Sequence, residues 1–299
     1  MKHFNYSIFV AALAAASFMF SACDDDDDEN VNNSPSDTEQ GDDSNKDDEN
    51  NKDDENEVAY PETVFTSGLP ANVGGSAVTT DENGFVTKIA DDGEVYTFVY
   101  AKKTVEFEGT ATVYDLTINY EDKENGGDPA DNMTMYCKLN KDNFIAEVYQ
   151  VYGDGDTDTW TFGYNADGQL NYMKRSEGNE VTTLAYDADG DVVTVTEEDL
   201  DDKSKTTKTI AYTSETVTSK IANKGNIMLF DECLGVDMDE MGVAYYAGLL
   251  GKATKHLPIS LSAKYSDGYS YTETYSWTLN ADGLPTKMTD GEDSYTFAW

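Results

Sequence analysis

Apart from carboxylates, few residues in this sequence could do acid–base or nucleophilic chemistry. Beyond the first 22 residues the chain has one histidine, His256, and one arginine, Arg175. This excludes zinc sites built from several histidines and phosphate sites built from paired arginines. A Ser–His–Asp triad would need His256 as its base, but no G-x-S-x-G turn is present. We therefore predict that His256 is an exposed loop residue and that the chain has no catalytic residue, no cofactor and no metal site.

Carboxylates offer the main remaining chemistry. Residues 187–191 and 154–158 place aspartates at alternate positions. Neither segment has the glycine and distal glutamate of a calcium loop, so we predict that both are ordinary acidic turns. Glycoside hydrolysis needs two carboxyl groups about 5–10 Å apart across a cleft. No pattern in the sequence selects such a pair, and a carboxylate-dependent glycoside hydrolase stays open as an alternative.

Aromatic side chains indicate a binding role. The chain has 20 tyrosines and 3 tryptophans, and flat rings exposed on a sheet stack against sugars or anchor protein partners. Trp160, Tyr164 and Tyr172 lie near the central predicted hairpin and are the predicted ligand-binding residues, with core packing as the alternative for each. The predicted function is a binding module, not an enzyme, for a glycan or another envelope protein. A structural envelope protein is a further alternative.

β-Hairpins are the elements that must position these residues. Residues 271–279 (YTETYSWTL) alternate large and hydroxyl side chains, and similar alternation runs through 105–120 and 193–196. This is the period of a half-buried strand. Gly, Asn and Asp adopt the positive φ angles of tight turns. Such turns are predicted at Asn83-Gly84, Asp167-Gly168, Asp189-Gly190, Asp267-Gly268 and Asp282-Gly283, with Asp142-Asn143 as a variant.

The hairpins also repeat. GFVTKIADDGEVYTFVY from Gly84 resembles GLPTKMTDGEDSYTFAW from Gly283, and GQLNYMKRSEGNEVTTLAY from Gly168 is a looser copy. A lone hairpin is marginally stable in water, so each unit must pack against its neighbours. The predicted fold class is all-β, an antiparallel hairpin meander forming a strongly curved sheet or partly open barrel. Residues 59–299 are predicted to form this single domain.

One segment departs from the hairpin pattern. Asp237 and Glu240 have the spacing of an N-terminal capping pair, and Met241, Tyr245 and Leu249 follow at helical spacing before Gly251. We predict one short helix near residues 238–250, which plugs or caps the open end of the sheet.

The beginning of the sequence is typical of an export signal. Lys2 precedes an apolar run from Ile8 to Phe20, which is too short to span a bilayer. Residues 20–23, FSAC, resemble the lipobox of bacterial lipoproteins, whose cysteine becomes the acylated first residue. The resemblance implies a signal peptide over residues 1–22 and a membrane anchor through lipid on Cys23.

Residues 23–58 are predicted to form a lipid-anchored acidic disordered linker. Residues 24–58 carry 17 acidic side chains against two lysines, which cannot form a core. Aspartates directly after the cysteine resemble the surface-export signal of Bacteroidetes lipoproteins, which implies an outer-membrane protein exposed at the cell surface. From residue 59 onward, 17 basic against 42 acidic side chains give a net charge of −25, which repels phosphate backbones and excludes nucleic acid as a partner.

Two cysteines remain besides Cys23. Cys137 alternates with Met133, Met135 and Leu139 on one strand face, which favours a buried, inert thiol. A disulfide between Cys137 and Cys233 is left open, because their spacing does not decide it.

Three segments together carry a family resemblance. The FSAC motif, the final hairpin ending in YTFAW (295–299) and the stretch LLGKATKHLP (249–258) resemble the Bacteroidetes secreted family known as domain of unknown function 4595, with a porin-like fold. The resemblance covers most of residues 60–299 and implies a fold but no catalytic residues. A transmembrane barrel gives the same alternation, but the predicted anchor and linker argue against one.

Overall fold

Short antiparallel strands make up most of the described protein. The structure is a computed structural model that describes residues 64–107, 109–123 and 127–299. The first strands in the chain are β1 (Asn72–Val73), β2 (Ser76–Thr80), β3 (Val86–Ala90), β4 (Glu94–Val99), β5 (Lys103–Phe107), β6 (Thr110–Tyr114), β7 (Leu116–Asp122), β8 (Met133–Leu139), β9 (Ile145–Tyr152), β10 (Thr157–Tyr164) and β11 (Leu170–Arg175). The others are β12 (Glu180–Tyr186), β13 (Val192–Asp199), β14 (Lys205–Ala211), β15 (Ile221–Ala222), β16 (His256–Leu257), β17 (Ser260–Tyr265), β18 (Ser270–Thr274), β19 (Ser276–Leu279), β20 (Pro285–Thr289) and β21 (Ser294–Ala298).

Seventeen of these strands form one antiparallel, nearly closed barrel-like sheet. Most strands pair with their neighbours in the chain, and β1 pairs with both β2 and β21. Strands β18 and β19 are separated only by Tyr275, where pairing passes from β17 to β20. Residues 270–279 therefore run through both strands and connect the part of the sheet that contains β17 with the part that contains β20. The predicted antiparallel meander with a strongly curved, barrel-like sheet is confirmed.

The predicted Asx–Gly turns join consecutive paired strands. Gly168, for example, has φ 81° in the turn between β10 and β11. The first residue of this turn stabilises it, because Asn165 Oδ1 accepts hydrogen bonds from the backbone N–H of Asp167 (3.0 Å) and Gln169 (2.9 Å). The same pair of hydrogen bonds is made in four other turns, by Asp81, Asn140, Asp187 and Asn280.

The three similar sequence units are hairpins in the structure. They correspond to β3–β4, β20–β21 and β11–β12, each an antiparallel pair. The run 105–120, where the sequence shows strand-like alternation, is divided among β5, β6 and β7. Gly109, with φ 76°, allows the reversal between β5 and β6. These two strands form a separate small sheet, and the Phe107 ring packs 4.5 Å from that of Tyr149 on β9.

The long connection from β15 to β16, residues 223–255, is called the interior segment here. It contains α1 (Phe230–Leu234), which ends at Gly235 with φ 61°, and a 3₁₀ helix over Asp239–Tyr245. The predicted short helix near 238–250 is present as this 3₁₀ helix, which ends at Tyr245, and α1 is an additional helix that the sequence did not predict. Met238, Met241 and Ala244 are buried at a spacing of three, which fits the three-residue turn of a 3₁₀ helix.

The start of this 3₁₀ helix also differs from the predicted capping pair. Met238 is the N-terminal cap residue and makes no side-chain capping bond. Asp237 Oδ1 accepts the N–H of Asp239 at 3.0 Å, and Gly248, with φ 78°, turns the chain soon after the helix. The helix is therefore short, and packing against the sheet holds it in place.

Side chains of the interior segment fill the concave side of the sheet. Met241, Tyr245 and Leu249 are buried in the same hydrophobic cluster as Leu116 and Trp160 of the sheet. Tyr245 donates its hydroxyl hydrogen bond to the carbonyl of Asn226 at 2.7 Å. The core thus lies between the sheet and the interior segment. Backbone carbonyls of this segment accept the hydrogen bonds of the buried tyrosine hydroxyls.

The N-terminal predictions concern residues outside the described part of the chain. These are the signal peptide over 1–22, the lipid on Cys23 and the linker over 23–58, and they stay predictions. All described residues belong to one compact unit. Within that unit, no helix has the length and apolar character needed to cross a bilayer.

Candidate functional site

An open groove of about 540 Å³ lies on the outer face of the sheet, across β14, β17 and β18. Ile210 and Leu261 are buried against the core, so strand alternation directs their neighbours Thr209 and Ser262 outward. The lining is rich in hydroxyl groups, and none of its described residues is acidic. It consists of Thr207, Thr209, Ser262, Ala263, Lys264, Ser270, Tyr271 and Thr272. Such a surface offers many hydrogen-bond donors and acceptors to a ligand.

A tyrosine cluster stands at the β17–β18 turn, where the groove ends, and strand alternation places Tyr265 and Tyr271 on the face of buried Ala263, opposite the groove hydroxyls. The ring centroids of Tyr265 and Tyr269 are 5.6 Å apart, and Tyr271 lies 6.2 and 6.3 Å from them. Tyr269 is 60% exposed, the highest value among the large apolar side chains described as exposed. Burial, followed by the charges of Tyr265 and Glu273, raises the pKa of Tyr271 above its usual value. Its hydroxyl therefore stays a neutral donor at physiological pH.

The structure separates the three predicted ligand-binding residues. Trp160 is 1% exposed, and its Nε1 donates to Gln150 Oε1 at 3.1 Å. Tyr164 is half-buried and donates its hydroxyl to the carbonyl of Ile145 at 2.7 Å. Trp160 and Tyr164 therefore pack in the core, which is the alternative that the sequence left open for each. Tyr172 alone of the three lies on the outer face, half-buried, opposite Thr183.

Arg175, at the end of β11, holds three carboxylates. Its Nε lies 2.6 Å from Asp158 Oδ2, and its Nη2 lies 2.5 Å from Glu177 Oε2 and 2.8 Å from Asp239 Oδ2. The guanidinium also stacks 4.6 Å from the Trp160 ring centroid. Burial alone would raise the pKa of Asp158, but hydrogen bonds from Ser176, Arg175 and the Glu177 N–H outweigh it and lower that pKa. Arg175 is thus fully committed to ion pairs within the chain.

Glu240 is the carboxyl group best suited to hold a proton. Burial, followed by the hydrogen bond to Asp239 and the negative charge of Asp239, raises the pKa of Glu240 to about 9. A protonated carboxyl can act as a general acid. However, Asp239 is adjacent in the chain and is bound to Arg175, whereas glycoside hydrolysis needs a second carboxylate across a cleft. The pair is arranged to share a proton rather than to flank a sugar.

Three aspartates of the β12–β13 turn surround a lysine. Lys220 Nζ lies 3.2 Å from Asp187 Oδ2, 2.7 Å from Asp189 Oδ2 and 2.8 Å from Asp191 Oδ2. Carboxylate oxygens of these aspartates lie within 4.8 Å of one another, a spacing that a metal ion could bridge. Here the lysine ammonium offsets part of their charge, and the hydrogen bonds that it donates to Asp189 and Asp191 raise the pKa of Lys220. These ion pairs attach the β12–β13 turn to the loop that precedes β15.

His256 belongs to the same cluster, and the prediction that it is an exposed loop residue was wrong. It lies on β16 with its side chain 25% exposed, and its Nδ1 is 2.8 Å from Asp191 Oδ2. Its backbone N–H donates to Asp191 Oδ1 at 2.9 Å. The sequence did not show this pairing because residues 191 and 256 are far apart in the chain.

Both described cysteines are free and buried. Burial raises the pKa of the Cys137 thiol well above its usual value, with the Asp115 charge adding to it. Burial likewise raises the pKa of Cys233. Cys137 is therefore the inert thiol that its strand position predicts, and the disulfide left open by the sequence is not formed in this structure.

Sequence reasoning missed the tyrosine cluster. The segment YSDGYSY (265–271) places two tyrosines close after an Asp-Gly turn and one two residues before its aspartate. A tight turn brings the residues on its two sides together, so tyrosines flanking an Asx–Gly pair are the signal that could have found it. The predicted candidates were chosen near the central hairpin, where strand alternation turns Trp160 inward with Phe162.

The interior segment fills the concave side of the nearly closed antiparallel sheet, and together they define a barrel-like all-β domain. The chain belongs to the family described as domain of unknown function (DUF4595) with porin-like fold, which matches residues 78–287. It is similar to the crystal structure of a porin-like protein from Bacteroides uniformis, with a TM-score of 0.48 and 17% identity, over 75% of this chain and 89% of that one. A porin-like protein from Bacteroides vulgatus is also similar, with a TM-score of 0.46 and 14% identity, over 75% and 91% of the two chains. Among curated proteins, no match to the chain is found.

Proposed function

We propose that the protein is an outer-membrane lipoprotein, anchored through Cys23 and exposed at the cell surface, whose domain is a binding module for a glycan or a protein. The observation that supports this best is the tyrosine cluster beside the open groove. Tyr271 lines the groove as a residue of β18, but strand alternation turns its ring to the face of buried Ala263, where it contacts the rings of Tyr265 and Tyr269.

The exposure of Tyr269 is the energetic basis of the proposal. An aromatic ring left 60% exposed loses favourable burial, whereas a ligand that covers it regains this energy. Rings that stack on a partner contribute about 0.5–1.5 kcal/mol beyond the area they bury. The hydroxyl group of Tyr271, a neutral donor, would then help to fix the orientation of the ligand.

The anchor and spacer support the location. An acidic linker of about 35 residues spans at least roughly 30 Å by random-coil scaling, which would hold the domain clear of the membrane. Replacing Cys23 with Ala should release the protein from the membrane fraction, and protease added to intact cells should digest the wild-type domain. Continued sedimentation of the Cys23→Ala variant with membranes would contradict the lipid anchor.

A glycan array probed with the detergent-purified full chain tests the binding role. We expect binding that is lost in Tyr269→Ala and kept in Phe107→Ala, an exposed aromatic control on the separate β5–β6 sheet. Chemical cross-linking on intact cells provides the test for a protein ligand, again with both variants. Retention of neither a glycan nor a protein would favour the structural-envelope alternative over a binding module.

A carboxylate-dependent glycoside hydrolase is the second candidate function. The raised pKa of Glu240 supports it, although Asp239 is not placed as the second carboxylate across a cleft. It predicts release of reducing ends from a bound polysaccharide, abolished by Glu240→Gln. Release that persists in this variant would exclude Glu240 as the acid.

A further inference from the structure

Hydroxyl side chains are in register across the outer face of the sheet. Residues directly opposite each other on neighbouring strands lie on the same face. One row of cross-strand partners runs from β11 to β18, through Tyr172, Thr183, Thr196, Thr207, Lys264 and Ser270. A second row runs beside it from β13 to β18, through Thr194, Thr209, Ser262 and Thr272. We call these two rows the hydroxyl platform.

The hydroxyl platform is longer than the groove. Neighbouring strands are about 4.8 Å apart, so the six residues of the first row span roughly 24 Å. The groove occupies the end of this surface at β14, β17 and β18. The distance between strands is close to the length of one pyranose unit in an extended chain. A glycan lying across the strands would therefore meet a new side chain at each sugar.

Tyr172 ends the first row and adds an aromatic ring to it. Its cross-strand partner on β10 is Gly163. A Cβ atom at position 163 would lie 3.1 Å from Tyr172 Cβ and 3.7 Å from a ring carbon, so a larger residue at this position would crowd the tyrosine. The half-buried ring offers an apolar surface at the end of a polar row, which suits the C–H face of a sugar.

The charge of the hydroxyl platform selects among ligands. Its only charged residue is Lys264, which makes no ion pair with any described residue, and the domain from residue 59 onward has a net charge of −25. The neighbouring row runs through Lys174, Val181, Glu198 and Lys205, where Glu198 offsets one of the two lysines. A polyanion would be repelled by the domain as a whole, and a polycation would find no carboxylate among the described groove residues. A neutral ligand rich in hydroxyl groups meets neither obstacle.

We propose that the hydroxyl platform binds a neutral, extended polysaccharide whose chain runs across strands β11–β18. Threonine and serine hydroxyls hydrogen-bond its sugars, and Tyr172 packs against a ring at one end. This inference rests on the proposed binding function and names the ligand class for it.

Isosteric variants test the hydroxyl rows. Valine keeps the shape and strand preference of threonine but removes its hydroxyl. In the detergent-purified full chain, Thr196→Val and Thr207→Val should each weaken binding of a neutral polysaccharide about two- to tenfold, the effect of one hydrogen bond. Tyr172→Ala should cause a loss of similar size. Thr104→Val, an exposed position on the separate β5–β6 sheet, should have no effect, and thermal unfolding will show that all variants are folded.

Ligand length and salt provide independent readouts. Affinity should rise with the length of neutral oligosaccharides until they span the hydroxyl platform. It should change little between about 0.1 M and about 1 M salt, because a neutral ligand makes no screened charge pairs. Lys264→Gln should weaken binding less than about twofold for the same reason.

The outcomes separate this inference from the proposed function. Glycan binding lost in Tyr269→Ala but unchanged in Thr196→Val, Thr207→Val and Tyr172→Ala would overturn the hydroxyl platform and leave the binding module in place. Binding restricted to charged glycans, weakened by salt or strongly by Lys264→Gln, would overturn the neutral class alone. Capture of a protein with no glycan bound would overturn the inference, whereas capture of neither would overturn both proposals.

Discussion

Arg175 joins the sheet to the interior segment, because its Nη2 lies 2.8 Å from Asp239 Oδ2 while its Nε lies 2.6 Å from Asp158 Oδ2. Asp158 is a buried residue of β10, and Asp239 begins the 3₁₀ helix inside the sheet. The only arginine of the chain thus links two parts of the fold that are distant in sequence.

Replacing Arg175 with Met should destabilise the protein strongly. Asp158 is 2% exposed and would keep a buried charge without its cation, which typically costs about 3–5 kcal/mol. The free energy of unfolding, measured by urea denaturation, should fall by about this amount. Asp239→Asn is the matched control, because that carboxylate is one-third exposed and its loss should cost less than about 1 kcal/mol. Equal losses in the two variants would contradict the role assigned to buried Asp158.

Replacing Glu240 with Gln should change how stability depends on pH. Glu240 has a pKa of about 9 in the folded protein against an ordinary value of 4.5 for a solvated glutamate, so between these values the folded state binds more protons than the unfolded state. This residue therefore contributes a decrease in stability as pH rises from 4.5 to 9, and no further change above that range. The groups facing it are Asp239, Arg175, Tyr96, Tyr120 and Tyr152.

The measurement is the free energy of unfolding of both proteins across this pH range. Glu240→Gln should be the more stable protein at pH values near 8, by an amount on the order of 1 kcal/mol or more, and the difference should vanish near pH 4. Glu82→Gln, which alters an exposed residue of the β2–β3 turn, should follow the wild-type curve. A constant difference between Glu240→Gln and wild type at all pH values would show that the carboxyl does not titrate as described.

Replacing Lys220 with Ala should create a dependence on divalent cations. The three aspartates around it would then repel one another, since their oxygens lie within 4.8 Å. We expect a lower melting temperature than wild type, and recovery of part of the loss on addition of calcium, because carboxylate oxygens are its preferred ligands. Wild type should respond less to calcium. An equal response of the two proteins would show that Lys220 does not neutralise the cluster.

Replacing Asn165 with Ala should weaken the β10–β11 turn. Its side chain accepts two backbone N–H groups, and losing these acceptors should cost about 1–2 kcal/mol in the free energy of unfolding. Asp167→Ala in the same turn changes an exposed side chain and should cost less than about 0.5 kcal/mol. The reverse order would show that the third residue of the turn, not the first, stabilises it.

The hairpins were predictable because their causes are local. The positive φ at Gly84 or Gly168, and the alternation along 271–279, depend on residues that are adjacent in the chain. The interior segment was harder to predict, since the same apolar residues fit an α-helix or a 3₁₀ helix until contacts with the sheet select one. Alternation also shows that a strand has two faces without showing which is inside, which is why Trp160 was placed among the binding candidates.

The candidate site depends on contacts between distant residues. Thr207 and Lys264 are cross-strand partners, but the long interior segment separates β14 from β17 in sequence. Their register follows from how that segment packs within the sheet. The same limit applies to Asp191 with His256 and to Arg175 with Asp239. The sequence could therefore supply the residue types of the outer face but not their alignment into rows.

The pairing of β1 with β21 has a consequence for how such a domain can change size. Strand order around most of the sheet follows the chain, and three of its hairpins have similar sequences. Duplicating or deleting one hairpin would therefore alter the circumference by two strands and leave pairing elsewhere intact. Relatives with wider or narrower sheets, and correspondingly larger or smaller interior segments, can arise by this route in a single genetic step.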